Sequence, residues 1–241
     1  MKTTLNFRFM IIPLTILTLM GSYTNSASAD VVLDFQFGAE VIGVLDEYGL
    51  FGTIAEGDGL TGRLRYGNQV SFEDGDDTFI YRELSVTPGG VNQMSVSIGE
   101  LAFGATQKII AQSYNMEFDE DGIYGTDFQF NDADTSILNL ENLPLGYQVR
   151  LGALVALFLN DPTLSTFPEL PSSLLQLDMY DGWATGGFFY ADFYNAQGQF
   201  IDFAIVEFRL TSLTTVPEPS SGLLAFVGLA LYRVRLGRQE K

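Results

Sequence analysis

The chain contains no cysteine and no histidine among its 241 residues. Without histidine there is no Ser-His-Asp triad, and without either residue there is no thiol nucleophile and no ordinary zinc, copper or haem site. Carboxylate chemistry and oxygen-ligand metals are what remain. The lack of cysteine also excludes disulfides, although the chain reads as exported. The stretch from Asp30 to Val216 is long enough to do without them, since a domain of that size buries about 70% of its unfolded surface. Cations are scarce as well. Between Asp30 and Val216 six of them (Arg63, Arg65, Arg82, Lys108, Arg150 and Arg209) stand against 28 acids, a formal balance of −22. A surface that negative repels phosphate backbones, so nucleic acid is excluded as a partner. Helical periodicity, internal repeats and low-complexity linkers are also missing from this body, which makes one domain the expectation.

The apolar patterning that is present has period two. Leu33, Phe35 and Phe37 share one side of a strand, as do Ile80, Arg82, Leu84 and Val86, and Met94, Val96 and Ile98. Acidic or glycine-rich turns are expected at Glu73 to Asp77, Pro88 to Gly90 and Glu120 to Gly122. Further strands are expected over Tyr124 to Phe130, Ser136 to Leu140 and Leu174 to Tyr180, and the longer apolar run Gln148 to Leu159 reads as a buried strand or a short helix. Pro162, Pro168 and Pro171 mark an irregular loop over Asn160 to Ser173. Gly187 to Tyr194 and Gln199 to Leu210, flanking Asn195 to Gly198, carry a hairpin signal. Many short strands with regular turns point to an all-β fold, an antiparallel β-sandwich or jelly-roll-like domain over residues 30–213.

The two ends differ from this body. Residues 1–29 read as a signal peptide. Lys2 and Arg8 precede an apolar core over Phe9 to Met20, and the small residues Ala27 and Ala29 place cleavage by signal peptidase before Asp30. The apolar core is shorter than the roughly 20 residues a membrane span needs. Residues 214–241 form a tail. Pro217, Glu218 and Pro219 bias the chain towards an accessible, extended peptide. Gly222 to Tyr232 is apolar all round, as in a short C-terminal transmembrane helix, and Arg233, Arg235, Arg238 and Lys241 form a basic end held on the cytoplasmic side.

Taken together, Pro217-Glu218-Pro219, the apolar helix and the arginine-rich end resemble the PEP-CTERM sorting signal of exported bacterial proteins. The match covers about a tenth of the chain, and one departure is that Gln239, Glu240 and Lys241 follow the arginines. The resemblance implies recognition by an exosortase that cuts near Pro217-Glu218-Pro219. It also implies transient anchoring in the inner membrane of a diderm bacterium that makes extracellular polysaccharide, with the mature protein passed to the cell surface or biofilm matrix. Val41 to Tyr66 is similar to an opening seen in many such proteins, which supports the all-β reading and assigns no activity.

Within the body the chemistry is thin. Asp119 and Asp121 sit in an acidic turn that could supply oxygen ligands to calcium, but no glutamate closes an EF-hand loop, and solvated acidic turns are the alternative. Trp183, with Tyr180 and Tyr190 close in sequence, is a candidate platform for stacking on extracellular polysaccharide; its alternative is a core tryptophan. With 28 acids some pair will meet glycosidase spacing by chance, so that criterion selects nothing. No catalysis is expected. The expectation is an exported surface or matrix protein, with a carbohydrate-binding module as the alternative and a carboxylate-dependent glycosidase behind both.

Overall fold

The computed structural model describes residues 31–68, 70–118, 121–181 and 185–216. The signal-peptide residues Ala27, Ala29 and Asp30 lie outside them, as do the tail residues Pro217, Glu218, Pro219, Arg233, Arg235 and Arg238. Eleven strands follow in order: β1 (Val31–Leu45), β2 (Gly59–Gly67), β3 (Phe72–Gly75), β4 (Phe79–Ser85), β5 (Gln93–Ile98), β6 (Leu101–Gly104), β7 (Lys108–Phe118), β8 (Asp121–Ala133), β9 (Gln148–Phe158), β10 (Gly186–Tyr194) and β11 (Phe200–Thr215). They form one antiparallel sheet in the order β3-β4-β7-β8-β9-β10-β11-β1-β2-β5-β6. The described residues are therefore all-β. Among the described residues no helix is long and apolar enough to cross a membrane.

Period-two alternation decides which side of each strand is buried. On β1 the side chains of Leu33, Phe35, Phe37, Ala39 and Val41 are inside, and on β5 so are Met94, Val96 and Ile98. The β2-β5-β6 wing folds back over β8 to β10, so one face of the sheet packs on itself as in a sandwich. Tyr66 of β2 stacks on Phe128 of β8 at 5.2 Å, and Phe103 of β6 meets Phe189 of β10 at 5.5 Å. Register breaks on β1 between Gly38 and Ala39, and between Val41 and Gly43, are bulges of the kind that add the curvature such folding-over needs.

Residues 160–179 form a strap rather than a strand. Leu170, Leu174, Leu175 and Leu177 pack on the core from it. It is held from below by two buried side chains: the Arg82 Nη2 donates to Pro168 O at 2.6 Å, and the Tyr66 hydroxyl donates to Pro171 O. Arg82 is buried because all its nitrogens are used, with Nε on Glu73 (2.6 Å) and Nη1 on Ser113 Oγ (3.3 Å).

Two expected strands are corrected. Ser136 to Leu140 contains a 3-10 turn, Thr135–Ile137, because the Asp134 side chain accepts from Ser136 N; a second turn, Leu140–Asn142, has Asn139 in the same role. Leu174 to Tyr180 contains the turn Leu177–Met179 and only a single bridge, between Leu159 and Tyr180. In both places local hydrogen bonds replace a ladder that has no partner strand. The expected acidic turns at Glu73 to Asp77 and Glu120 to Gly122 are partly strand, in β3 and at the start of β8.

Candidate functional site

The side of the sheet that faces away from the core is not uniformly polar. Strand register sets out a row across it: Gln112 of β7 opposite Asp127 of β8, Asp127 opposite Ala156 of β9, Ala156 opposite Gly186 of β10, and Gly186 opposite Arg209 of β11. The next row along the strands holds Leu154, Phe188 and Glu207. Ala156 and Gly186 thus put two minimal side chains side by side between larger ones, and the surface sinks there. The resulting trough has a volume of about 520 Å3, with Phe158 and Phe188 among its walls and Glu207 and Arg209 at its rim.

Close backbone approach keeps that floor low. A Cβ on Gly186 would lie 2.3 Å from Phe208 O, and one on Gly187 would lie 1.9 Å from Leu154 O. Glycine is required at both positions by contact rather than by backbone angle. At the rim, Glu207 and Arg209 are exposed, and among the described residues neither has an ion-pair or hydrogen-bond partner. A carboxylate and a guanidinium therefore remain free to accept from and donate to a ligand.

Aromatic residues continue from the trough along the outer side of β10. Phe188 and Tyr190 are 5.7 Å apart, Tyr194 and Phe200 are 5.9 Å apart, and Phe200 and Phe203 stack at 6.5 Å. The Arg150 guanidinium lies over the Tyr194 ring, 5.1 Å from its centroid. Burial first, and the Asp192 carboxylate second, push the Tyr190 hydroxyl up to about 12. Phe200 and Phe203 are 55% and 41% exposed, well beyond an ordinary half-buried strand residue.

Asp127 is the one strongly perturbed carboxyl on this side. It is only 4% exposed, and burial raises it from the usual carboxylate range to about 6, against the opposing hydrogen bond from Tyr114. The Tyr114 oxygen lies 2.7 Å from Asp127 Oδ2 and 2.8 Å from Gln112 Oε1. One hydroxyl proton cannot serve both acceptors. A protonated Asp127 resolves this by donating to Tyr114, which then donates to Gln112. The other oxygen of Asp127, Oδ1, is buried with no partner.

The residues singled out from sequence fare unevenly. Tyr190 stands on the outer side of β10 beside Phe188. Tyr180 is corrected: it is 5% exposed, belongs to the core, and its hydroxyl accepts from Leu175 N, so it has no face to offer a sugar. Trp183 and Asp119 lie outside the described residues, and the side chain of Asp121 does too. Among the described residues no group of three or more acidic side chains is placed to hold a metal. Sequence reasoning did not reach Asp127, Arg209 or the trough. The glycine pair at 186 and 187, inside an otherwise aromatic strand, was the available signal of close backbone approach.

Fold and site together define a class: an antiparallel all-β domain with aromatic residues along the outer side of β10 and a ligand-sized trough beside them. Compared with family models, curated proteins and solved structures, the chain matches none of them.

Proposed function

We propose that the chain is an exported surface or matrix protein, with a non-catalytic β domain delivered by an exosortase-processed tail. The observation that carries this reading is the sequence of the tail, Pro217-Glu218-Pro219 followed by the apolar segment and arginines, set against where the sheet stops. β1 and β11 are neighbours, with Phe35 opposite Thr215, and Val216 N still donates to Asp34 O at 2.8 Å. The described ends of the chain, Val31 and Val216, therefore border the same seam at one end of the sheet. Removing both flanking segments leaves every ladder among the described residues intact. That is the economy expected of a body whose ends are handled by signal peptidase and exosortase while it passes through the inner membrane.

Support for a domain without catalysis comes from its acids. Asp127 is closed in by Tyr114 and Gln112, and the carboxylate at the trough, Glu207, has a guanidinium, Arg209, rather than a second acid beside it in the lining. The decisive experiment compares mass and location of the chain in an exosortase-positive and an exosortase-null host. Loss of the tail and release to the surface only in the positive host is expected. A tail retained in both hosts overturns the reading.

A second reading, a carbohydrate-binding module for extracellular polysaccharide, is favoured by one observation, the aromatic outer side of β10 with its trough. Aromatic rings offer flat apolar faces, and the free Glu207 and Arg209 offer an acceptor and donors for hydroxyls.

A further inference from the structure

Resting on the carbohydrate-binding reading, we infer that the trough floored by Ala156 and Gly186 is the anchoring subsite for an uncharged, extended polysaccharide chain, which continues along the outer side of β10. Four features of the molecule carry this.

The first is shape. A trough of about 520 Å3 falls within the range of small-molecule clefts, roughly 300–1,000 Å3. Its floor cannot be filled by a side chain at Gly186 or Gly187 without moving backbone. The depression is built into the sheet.

The second is the chemistry of its walls. Phe158 and Phe188 present apolar rings, while Glu207 and Arg209 at the rim pair with nothing among the described residues. A pyranose ring needs this combination, since it carries an apolar C–H face and a polar hydroxyl edge.

The third is charge. At the rim one carboxylate and one guanidinium cancel, whereas the body as a whole carries 28 acids against six cations. An anionic glycan would be repelled at range, and a cationic one would be held by acids all over the surface without needing the trough. An uncharged chain is the ligand for which the trough adds most.

The fourth is extent. Phe188 and Tyr190 lie two residues apart on β10, about 7 Å by strand rise, and Tyr194 and Phe200 extend the aromatic run towards the hairpin tip. A run that follows β10 and passes to Phe200 on the adjoining β11 suits a chain that is itself extended, as β-1,4-linked glucans are, rather than a coiled α-glucan.

The test is affinity electrophoresis of the full chain in native gels cast with hydroxyethylcellulose, dextran or alginate. Retardation in hydroxyethylcellulose, and none in alginate, is expected. Phe188→Ala and Arg209→Ala should each weaken it about tenfold. Phe72→Ala, an exposed ring on the far edge strand β3, should leave it unchanged. Thermal melts of each variant establish that the sheet is folded. Retardation in hydroxyethylcellulose that survives both Phe188→Ala and Arg209→Ala overturns the trough while leaving the carbohydrate reading standing. Retardation by dextran or alginate alone overturns the extended uncharged ligand. No retardation in any gel removes both.

Discussion

Strand β10 carries aromatic residues on both sides, and the two sides meet very different fates. Inward, Phe189, Ala191 and Phe193 are fully buried. Phe189 meets Phe51 edge-on at 5.1 Å, and Phe193 meets Tyr48 in the same way at 5.1 Å. Outward, Phe188, Tyr190 and Tyr194 are only half-buried, and the ring contacts they make are with one another or with Phe200. An antiparallel strand with one wet side normally alternates apolar with polar. Here only Asp192 breaks the outward aromatic series. The inner rings are accounted for by the core; the outer rings hold apolar surface that folding leaves uncovered, which is the mark of a binding side.

Truncation at adjacent positions tests that contrast most directly. Phe189→Ala should cost about 3–5 kcal/mol, the usual range for a buried phenylalanine, and show as a large fall in the denaturant midpoint. Phe188→Ala, one residue away, should cost less than about 1 kcal/mol, because its ring gives up little core contact. Equal losses at the two positions would mean that the outer side is packed too, and the contrast would be gone.

Asp127 stands apart from the half-buried rings of β10 as a carboxyl buried on the outer side of β8. Burial raises it to about 6 in the folded state, so folded protein binds its proton more tightly than unfolded protein does. The stability associated with the neutral form is full below the unfolded value of 3.8 and is lost as pH rises through about 6. Asp127→Asn cannot ionise, and its amide NH2 can donate to Tyr114 as the neutral carboxyl does. It should therefore be more stable than the parent by about 2–3 kcal/mol at pH 8, with the gap closing as pH falls towards 4. Melting curves across that range check it. A gap that is independent of pH would show that Asp127 sits ionised in the fold.

Much of the sheet was legible because alternation is a local signal. The inward residues of β1, β4 and β5 and the β10–β11 hairpin all follow from period two, and three prolines mark the first part of the strap, whereas the apolar run that forms β9 was equally open to a short helix. Ser136 to Leu140 and Leu174 to Tyr180 alternate as well, yet the first is drawn into turns capped by Asp134 and Asn139, and the second pairs only through the single bridge of Tyr180 with Leu159. Tyr180 shows the same limit for a site: alternation separates two sides but does not say which one is covered. The trough was not legible at all. Ala156, Gly186 and Arg209 are brought into one row by register alone, and no spacing along the chain announces it. Asp127 alternates with Phe128 and so reads as outward; only the packing of Tyr114 over it makes it buried.

The smallest expected effect lies at the hairpin tip, and it sharpens the contrast most. Phe200 and Phe203 are the most exposed rings of the outer series. A Phe200→Ser, Phe203→Ser double variant removes them while leaving the Asn195 turn, whose side chain accepts from Gln197 N and Gln199 N, untouched. If the outer side is a free surface in the isolated protein, the double variant should melt within about 0.5 kcal/mol of the parent. Its melting should also be as insensitive to protein concentration as the parent's. If the parent instead loses stability on dilution and the variant does not, the outer rings are covered by a second copy of the chain, because only an association equilibrium makes melting depend on concentration. Sedimentation velocity on the same samples would then show the parent as a dimer and the variant as a monomer. The contrast between the two sides of β10 would become one between a core and an interface.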